Sequence, residues 1–364
     1  MREYVDGSTA IVRGALDAGC DFFAGYPITP ASPILMSMMR EMPRMGGVAI
    51  QGEDEIASIG MCIGATLAGS KAMTATSGPG ISLYSENLGL AIIGEVPLVV
   101  VDVQRLGPST GGATTVSQGD IQFVRWGTGG GYPIIALAPS TVAESYALTA
   151  RAFVLAERFR CPVFLVTDKE LATTLTTVDI DSYPGIEIPQ RKTATAGAPY
   201  DYSGDATPLH QFGDGHTVRF TGSTHDEEAY ITKNPATVER LNRHLAAKIE
   251  NHRNEIEMVD ADIQDGAQVL VLGYGITGAA VRSAIAMARA QGKAVSGVVV
   301  HSLWPVPETA LAAEFQGVKR VVVPELNLGL YRREIERIAP GIEIIGLERI
   351  DGELIRPQQI VEMM

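Results

Sequence analysis

Two side chains in the first third of the sequence have the type and surroundings to do chemistry, Glu55 and Arg105. Glu55 closes the run Gln51-Gly52-Glu53-Asp54-Glu55, and Ile56, Ala57, Ile59, Gly60, Ile63 and Gly64 follow it. That small, apolar pattern predicts a helix buried at an interface or beneath a ligand. A carboxyl group in such a place can stay protonated or share a proton with a ring nitrogen, so acid–base work is open to it. Glu53 and Asp54 are explained by the helix N-terminus, which favours negative charge. Arg105 ends an apolar run, and its planar fork is suited to grip a carboxylate at two points. All six histidines, His210, His216, His225, His244, His252 and His301, lie beyond this region, so no histidine-based triad can be assembled in it.

The elements around these residues alternate. Helical stretches separate the apolar runs Phe22 to Gly25, Val48 to Ile50, Ala72 to Ala75, Leu98 to Val103, Ile134 to Ala136 and Pro162 to Val166. This predicts an α/β fold, a parallel sheet covered by helices on both faces. Ligands of such sheets bind beyond the carboxyl ends of the strands. Four of the segments there are unusual: Gly25-Tyr26-Pro27-Ile28-Thr29-Pro30, Gln51 to Glu55, Thr76-Ser77-Gly78-Pro79-Gly80, and Gln104-Arg105-Leu106-Gly107-Pro108-Ser109-Thr110-Gly111-Gly112. Glycine and proline fix tight turns in three of them and let backbone amides approach a ligand. From about residue 172 to 263 the composition shifts to Thr, Asp, Gly and Pro, then to a surface helix near Pro235 to Ile256, which reads as a connector. A second alternation follows, with strands at Val269 to Leu272, Ser296 to Val300, Val318 to Val323 and Ile342 to Ile345. The expected organisation is therefore 1–171, a connector at 172–263, and a smaller α/β domain at 264–364.

Composition narrows the function. The chain has 364 residues, room for two cores, and 46% of them are hydrophobic. A formal charge of -13 with no basic patch argues against nucleic acid. The start of the sequence lacks a basic, then apolar, leader, and no apolar run approaches the length of a membrane span, so a cytoplasmic protein is expected. Cys20, Cys62 and Cys161 are far apart and form no CxxC pair, so neither a disulfide framework nor an iron–sulfur cluster can be built from them alone.

The motifs GYPITPAS, GEDEIASIG, TSGPG and QRLGPSTGG, with PELNLG in the second domain, together resemble the alpha chain of the 2-oxoacid:ferredoxin oxidoreductases. The resemblance implies a thiamine diphosphate pyrimidine-binding fold followed by a transketolase C-terminal-like domain. It implies that Glu55 contacts N1′ of the aminopyrimidine and favours its imino tautomer. Thr29 and Arg105 then match the positions that hold the substrate's carboxylate and carbonyl end. Tyr26, Pro27 and Ile28, with Thr76, Ser77, Gly78, Pro79 and Gly80, fall to the cofactor site. The diphosphate, its Mg2+ and a 4Fe-4S cluster are implied on a beta subunit, in a dimer of heterodimers, and a separate gamma chain is allowed. The implied reaction is coenzyme A-dependent oxidative decarboxylation of a 2-oxoacid with reduction of ferredoxin. 2-Oxoglutarate is favoured, with branched-chain 2-oxoacids or pyruvate as alternatives, although a second basic group for a distal carboxylate is not located. A non-redox split thiamine enzyme, and a non-catalytic NAD-binding or interaction subunit, are the rival readings.

Three further motifs carry less. Gly273-Tyr274-Gly275-Ile276-Thr277-Gly278 matches a dinucleotide fingerprint, but Val298-Val299-Val300 runs into His301 where an acidic residue is expected, so it reads as a tight structural turn. His225, in Thr221 to Glu227, reads as a solvated or structural contact. Glu325-Leu326-Asn327-Leu328-Gly329 ends a strand and is assigned to the domain interface.

Overall fold

Short runs of Val, Ile, Leu and Ala bounded by glycine or proline become strands, and those in the middle of a sheet are covered on both faces. The computed structural model describes residues 2–179 and 187–364; the first residue and the part of the expected connector at 180–186 lie outside the described residues. Its strands are β1 (Arg2–Val5), β2 (Phe22–Gly25), β3 (Val48–Gln51), β4 (Ala72–Thr76), β5 (Leu98–Gln104), β6 (Ile135–Leu137) and β7 (Pro162–Asp168). They continue as β8 (Thr176–Asp179), β9 (Val259–Asp262), β10 (Val269–Tyr274), β11 (Ser296–Val300), β12 (Ser302–Trp304), β13 (Arg320–Glu325) and β14 (Glu343–Glu348).

The larger sheet has the order β12-β6-β7-β5-β4-β2-β3. Every neighbouring pair is parallel except β12 with β6. The second sheet, β14-β13-β10-β11-β9, is parallel apart from β9. Both sheets, with helices packed against them, bear out the expected α/β class. Four strands had no counterpart in the apolar pattern. β1 and β8 form a separate antiparallel pair, β9 lies within the expected connector, and β12 crosses from the second domain to extend the first sheet. Three of these mix polar with apolar residues, and β12 is only Ser-Leu-Trp, so none carries a long apolar run.

Helices Gly7–Asp17 and Val142–Phe159 pack together on one face of the larger sheet, over Phe23, Val99, Val101 and Val163. On the other face Ile59, Tyr84, Val100 and Phe164 form a cluster that runs without a break into Leu272, Val300, Trp304 and Tyr331. The two sheets therefore share one apolar core.

Polar contacts pin the same junction. The buried Gln118 side chain donates to Tyr274 O at 2.9 Å and accepts from Leu326 N at 3.1 Å. Asn327 Nδ2 donates to Gln118 O at 2.8 Å. Glu325, also buried, accepts from the Tyr274 hydroxyl and from Tyr331 N, each at 2.8 Å. The GYGITG turn thus behaves as a structural turn: Gly275 has φ +55, and a Cβ there would meet Gln118 Nε2 at 2.7 Å. At the helix start that follows, Asp168 Oδ2 from the first domain accepts from Ile276 N at 3.3 Å, the position a dinucleotide phosphate would occupy.

Helix Pro235–Glu250 is amphipathic, and Leu241, His244, Leu245, Lys248 and Ile249 are buried. Its buried face ties the connector to the first domain through Glu95, a fully buried carboxylate bonded to Lys248 Nζ at 2.9 Å and His244 Nε2 at 3.1 Å. Burial opposes that charge, yet the Lys248, His244 and Arg160 groups hold the carboxyl well below the usual range. His225 is a structural contact and fully buried rather than solvated: Tyr202 OH is 2.9 Å from Nδ1 and Ile93 O is 3.2 Å from Nε2.

Lys248→Met leaves Glu95 buried without its main partner. We predict a loss of about 3–5 kcal/mol at neutral pH in chemical denaturation. Because the native Glu95 carboxyl is depressed, its stabilisation is present above the unfolded carboxyl range and fades in acid, so the deficit of the variant shrinks as pH falls.

Candidate functional site

Since β3, β2, β4 and β5 are neighbours and all parallel, their carboxyl ends share one edge, and the four loops open there together. The loops then interleave. Glu55, after β3, reaches past β2 to the turn after β4: a Cβ built on Gly80 would lie 2.9 Å from its Cγ and Oε1. Arg105, after β5, reaches past β4 to the turn after β2, where its Nη1 donates to Thr29 O at 2.6 Å. Each loop is braced by one that is not its neighbour in the sheet.

Glu55 is the first residue of helix Glu55–Leu67, whose N-cap Asp54 accepts from Ala57 N at 2.7 Å. That cap satisfies a free amide of the first turn and leaves the adjacent carboxyl to other uses. Glu53 and Asp54 are exposed, whereas Glu55 is only 6% exposed. Among the described residues its side chain has neither a hydrogen bond nor an ion pair. Gly80 is what leaves space beside it, because a Cβ at that position would also meet Thr76 Oγ1 at 2.0 Å. Thr76 Oγ1 and Ser77 Oγ are buried and unpartnered among the described residues. A buried carboxyl, two orphaned hydroxyls and a glycine cradle fit a polar heterocycle with ring nitrogens, which is the test that the aminopyrimidine of thiamine diphosphate has to pass.

Arg105 is buried, and its Nε has no partner among the described residues. One donor of its fork is thus fixed on Thr29 O while another is left for an incoming acceptor. Tyr26, Pro27 and Thr29 are exposed at the rim, and Ile28 packs on the apolar cluster below. Thr29, Ser32, Thr114, Lys169 and Thr173 line a cavity of about 310 Å3 beside this turn. Lys169 is a basic group at the mouth that the sequence did not single out, and its Nζ is 2.9 Å from Glu170 Oε2. The sequence-predicted residues therefore gather on one rim in two braced pairs, Glu55 with Gly80 and Arg105 with Thr29.

Sequence reasoning passed over the polar groups underneath. Asp102 sits inside β5, every residue of which is buried, and neither of its carboxyl oxygens has a partner among the described residues. Burial and the neighbouring Asp120 push its carboxyl well above the usual range. Burial moves Asp120 up to about 6, although Arg105 pulls the other way. A charged residue inside Leu98-Val99-Val100-Val101-Asp102-Val103 was the signal, since such runs are otherwise apolar. Among the described residues no group of three or more His, Cys, Asp or Glu could hold a metal ion, and no helix is long and apolar enough to cross a membrane.

Comparison with known proteins shows the family of the chain. The family model for pyruvate flavodoxin/ferredoxin oxidoreductase, thiamine diphosphate-binding, matches residues 13–243, and that for pyruvate:ferredoxin oxidoreductase core domain II matches 267–360. The 2-oxoglutarate synthase subunit KorA of Methanothermobacter thermautotrophicus is 41% identical over 99% of this chain and 97% of its own length. The protein of the same name from Methanocaldococcus jannaschii is 42% identical over 98% of each. A solved 2-oxoglutarate:ferredoxin oxidoreductase from Magnetococcus marinus, with 2-oxoglutarate, coenzyme A and succinyl-CoA bound, covers the whole chain at TM-score 0.93 and 32% identity. This chain spans 64% of that longer one.

Two glycines of one turn separate packing from backbone freedom. Gly80→Ala drives a Cβ into Thr76 and Glu55 and is expected to destabilise the chain by about 1–3 kcal/mol in urea titration. Gly78→Ala, whose nearest neighbour is Asp120 Oδ2 at an ordinary 3.5 Å, is expected to stay within about 0.5 kcal/mol of the parent.

Proposed function

The chain belongs to the 2-oxoacid:ferredoxin oxidoreductase family, and from that premise we propose that it is the thiamine-pyrimidine-binding alpha subunit of a 2-oxoglutarate:ferredoxin oxidoreductase. One observation carries the assignment of the site: a buried carboxyl at position 55, unpartnered among the described residues, facing a glycine cradle. The complex would convert 2-oxoglutarate and coenzyme A to succinyl-CoA and carbon dioxide and pass electrons to ferredoxin. Thiamine diphosphate, when bound, supplies the carbon nucleophile and the electron sink for decarboxylation.

The work of this chain is to hold and orient. Glu55 holds a proton at N1′ of the pyrimidine, in a pocket where Gly80 admits the ring and Thr76 and Ser77 offer hydroxyls. Arg105, fixed by the Thr29 carbonyl, presents its remaining donors to the carboxylate of the 2-oxoacid. Tyr26, Pro27 and Ile28 form the rim on the same side, with Gly78 and Pro79 opposite.

The remaining parts are assigned to partners. Beside Glu55 the surface is apolar: Met36, Met45, Val48, Ile50, Ile56 and Met61 are exposed, on and around the open edge strand β3. A band of this kind marks a subunit contact, and its position supports a beta subunit that carries the diphosphate, Mg2+ and a 4Fe-4S cluster against the same rim. The relatives are themselves named as subunits. A dimer of heterodimers, with or without a gamma chain, acting on cytoplasmic ferredoxin, completes the proposal. The division into 1–171, 172–263 and 264–364 is retained with it; the second family model, beginning at 267, supports its last boundary, while the first runs from 13 to 243 across the other.

Glu55→Gln keeps the shape and removes the proton-holding carboxylate. In the assembled complex we expect hydrogen–deuterium exchange at C2 of the bound cofactor to fall at least about a hundredfold, with subunit assembly unchanged; exchange at the parent rate refutes the role. Arg105→Ala is expected to lower kcat/KM for the 2-oxoacid by about 10–100-fold. Competitive turnover of 2-oxoglutarate, pyruvate and 2-oxoisovalerate by the purified complex identifies the substrate, and no activity on the first overturns that part.

A further inference from the structure

The segment that follows Arg105 folds back on itself. Leu106 N donates to Thr115 O at 2.9 Å, Gly112 N to Leu106 O at 2.8 Å and Thr115 N to Gly112 O at 3.0 Å. Thr115 is therefore bonded to the residue next to Arg105, and its other neighbour in the chain, Thr114, lines the same cavity as Thr29. The tip of this loop, 107–110, is exposed, whereas Leu106 and Thr115 at its base are half-buried. Gly352 of the second domain lies against both: a Cβ built on it would overlap Thr115 Cγ2, and would stand 3.5 Å from Thr115 Cβ and 3.7 Å from Leu106 Cδ2. Its φ of +82 is left-handed backbone that glycine takes without strain.

Gly352 is itself held from both sides. Arg349 N donates to Glu325 O at 3.0 Å, which ties the start of the turn to the end of β13. The Arg349 guanidinium then closes the turn, with Nε donating to Asp351 Oδ1 at 2.7 Å and Nη1 to Leu354 O at 2.8 Å. Glu353 N donates to the same Asp351 oxygen at 3.1 Å. Past the turn, Ile355 is buried in one cluster with Val116 and Leu326, and Ser117 Oγ donates to Leu326 O at 3.0 Å. The base of the Arg105 loop is thus seated on the second domain, with a backbone carbon of that domain pressed on a methyl group of the loop. Close-packed contacts of this kind pass on a displacement instead of absorbing it.

We propose that the turn around Gly352 is a backstop for the substrate loop: through Thr115 and Leu106 it sets the position of Arg105 and of the cavity wall at Thr114, so that the second domain takes part in capture of the 2-oxoacid. Gly352, Thr115 and Arg349 are positioning residues that act through Arg105. The inference rests on the reading of Arg105 as the carboxylate-binding group.

The contact is one carbon deep, and that gives it a signature. A carbon added at 352 pushes the loop away, and a carbon removed at 115 lets it sag. Both changes together exchange one carbon for another, because the new Cβ then meets only Thr115 Cβ, at an ordinary 3.5 Å.

The test is a double-mutant cycle in the assembled complex, read as KM and kcat for 2-oxoglutarate, with thermal melting as the measure of folding. Gly352→Ala should raise KM by about tenfold while kcat changes by less than about threefold. Thr115→Ser should raise KM by about threefold. The double variant should return to within about twofold of the parent. Both proteins carrying Gly352→Ala should nevertheless melt below the parent, since φ +82 disfavours a side chain whatever the space. A contact that served stability alone would move the melting temperatures and leave KM unchanged. Arg349→Met, which opens the turn without altering Thr115, should raise KM by about threefold, and it carries the test with Thr115→Ser where Gly352→Ala does not assemble. In a complex where Arg105→Ala raises KM, the backstop alone is overturned by parental KM in Gly352→Ala or by a double variant as impaired as Gly352→Ala. Where that variant does not assemble, parental KM in both Thr115→Ser and Arg349→Met overturns it. Parental KM in Arg105→Ala overturns the reading of Arg105 and the inference with it.

Discussion

A polar atom taken out of water must find a partner or weaken the fold, and the architecture of this chain is organised by where that requirement is met and where it is not. At the junction of the two domains it is met completely: Gln118 uses its amide nitrogen, amide oxygen, backbone N–H and backbone carbonyl on Tyr274, Leu326 and Asn327. Glu325 likewise collects the Tyr274 hydroxyl and the amides of Tyr331 and Arg332. At the rim, Thr76, Ser77, Asp102 and the Nε of Arg105 stay unpartnered among the described residues. The first region therefore sets a rigid frame, and the second is a surface prepared for something that brings hydrogen-bonding groups of its own.

Much of this was legible in the sequence because parallel strands buried on both faces leave a plain mark. The runs at Phe22, Leu98 and Pro162 coincide with strands to within two residues, since nothing but continuous apolar sequence can fill the middle of a covered sheet. The loops at their ends were legible for the complementary reason, as concentrations of glycine, proline and charge. Their interleaving was not. Contact between Glu55 and Gly80, or between Arg105 and Thr29, depends on strand order, and the order β5-β4-β2-β3 departs from chain order in a way periodicity does not encode. β8 and β9 escaped because their short, mixed sequences read equally well as polar loop, and β12 because three residues are too few to show a pattern.

Asp102 is the instructive omission. Its setting in a run of valines argues for an unusual protonation state, but the sequence does not say that Asp120, with burial, raises its carboxyl further. Asp120 is held in place by the hydrogen bond from its N–H to Gln104 and by the frame at Gln118 two residues earlier. The chemistry of the rim is in this sense governed by the domain junction: the segment that carries Arg105 at one end is anchored to the second domain at the other.

The antiparallel strand β12 has a consequence for synthesis. It pairs Ser302 with Leu137 and Trp304 with Ala136, so the larger sheet borrows its last member from far along the polypeptide. While the chain leaves the ribosome, the β6 edge stays open until Ser302–Trp304 have emerged, and with it the Trp304 side of the apolar core. Nascent chains are most vulnerable to edge-to-edge association during that interval, and completion of the sheet coincides with arrival of the C-terminal domain rather than preceding it.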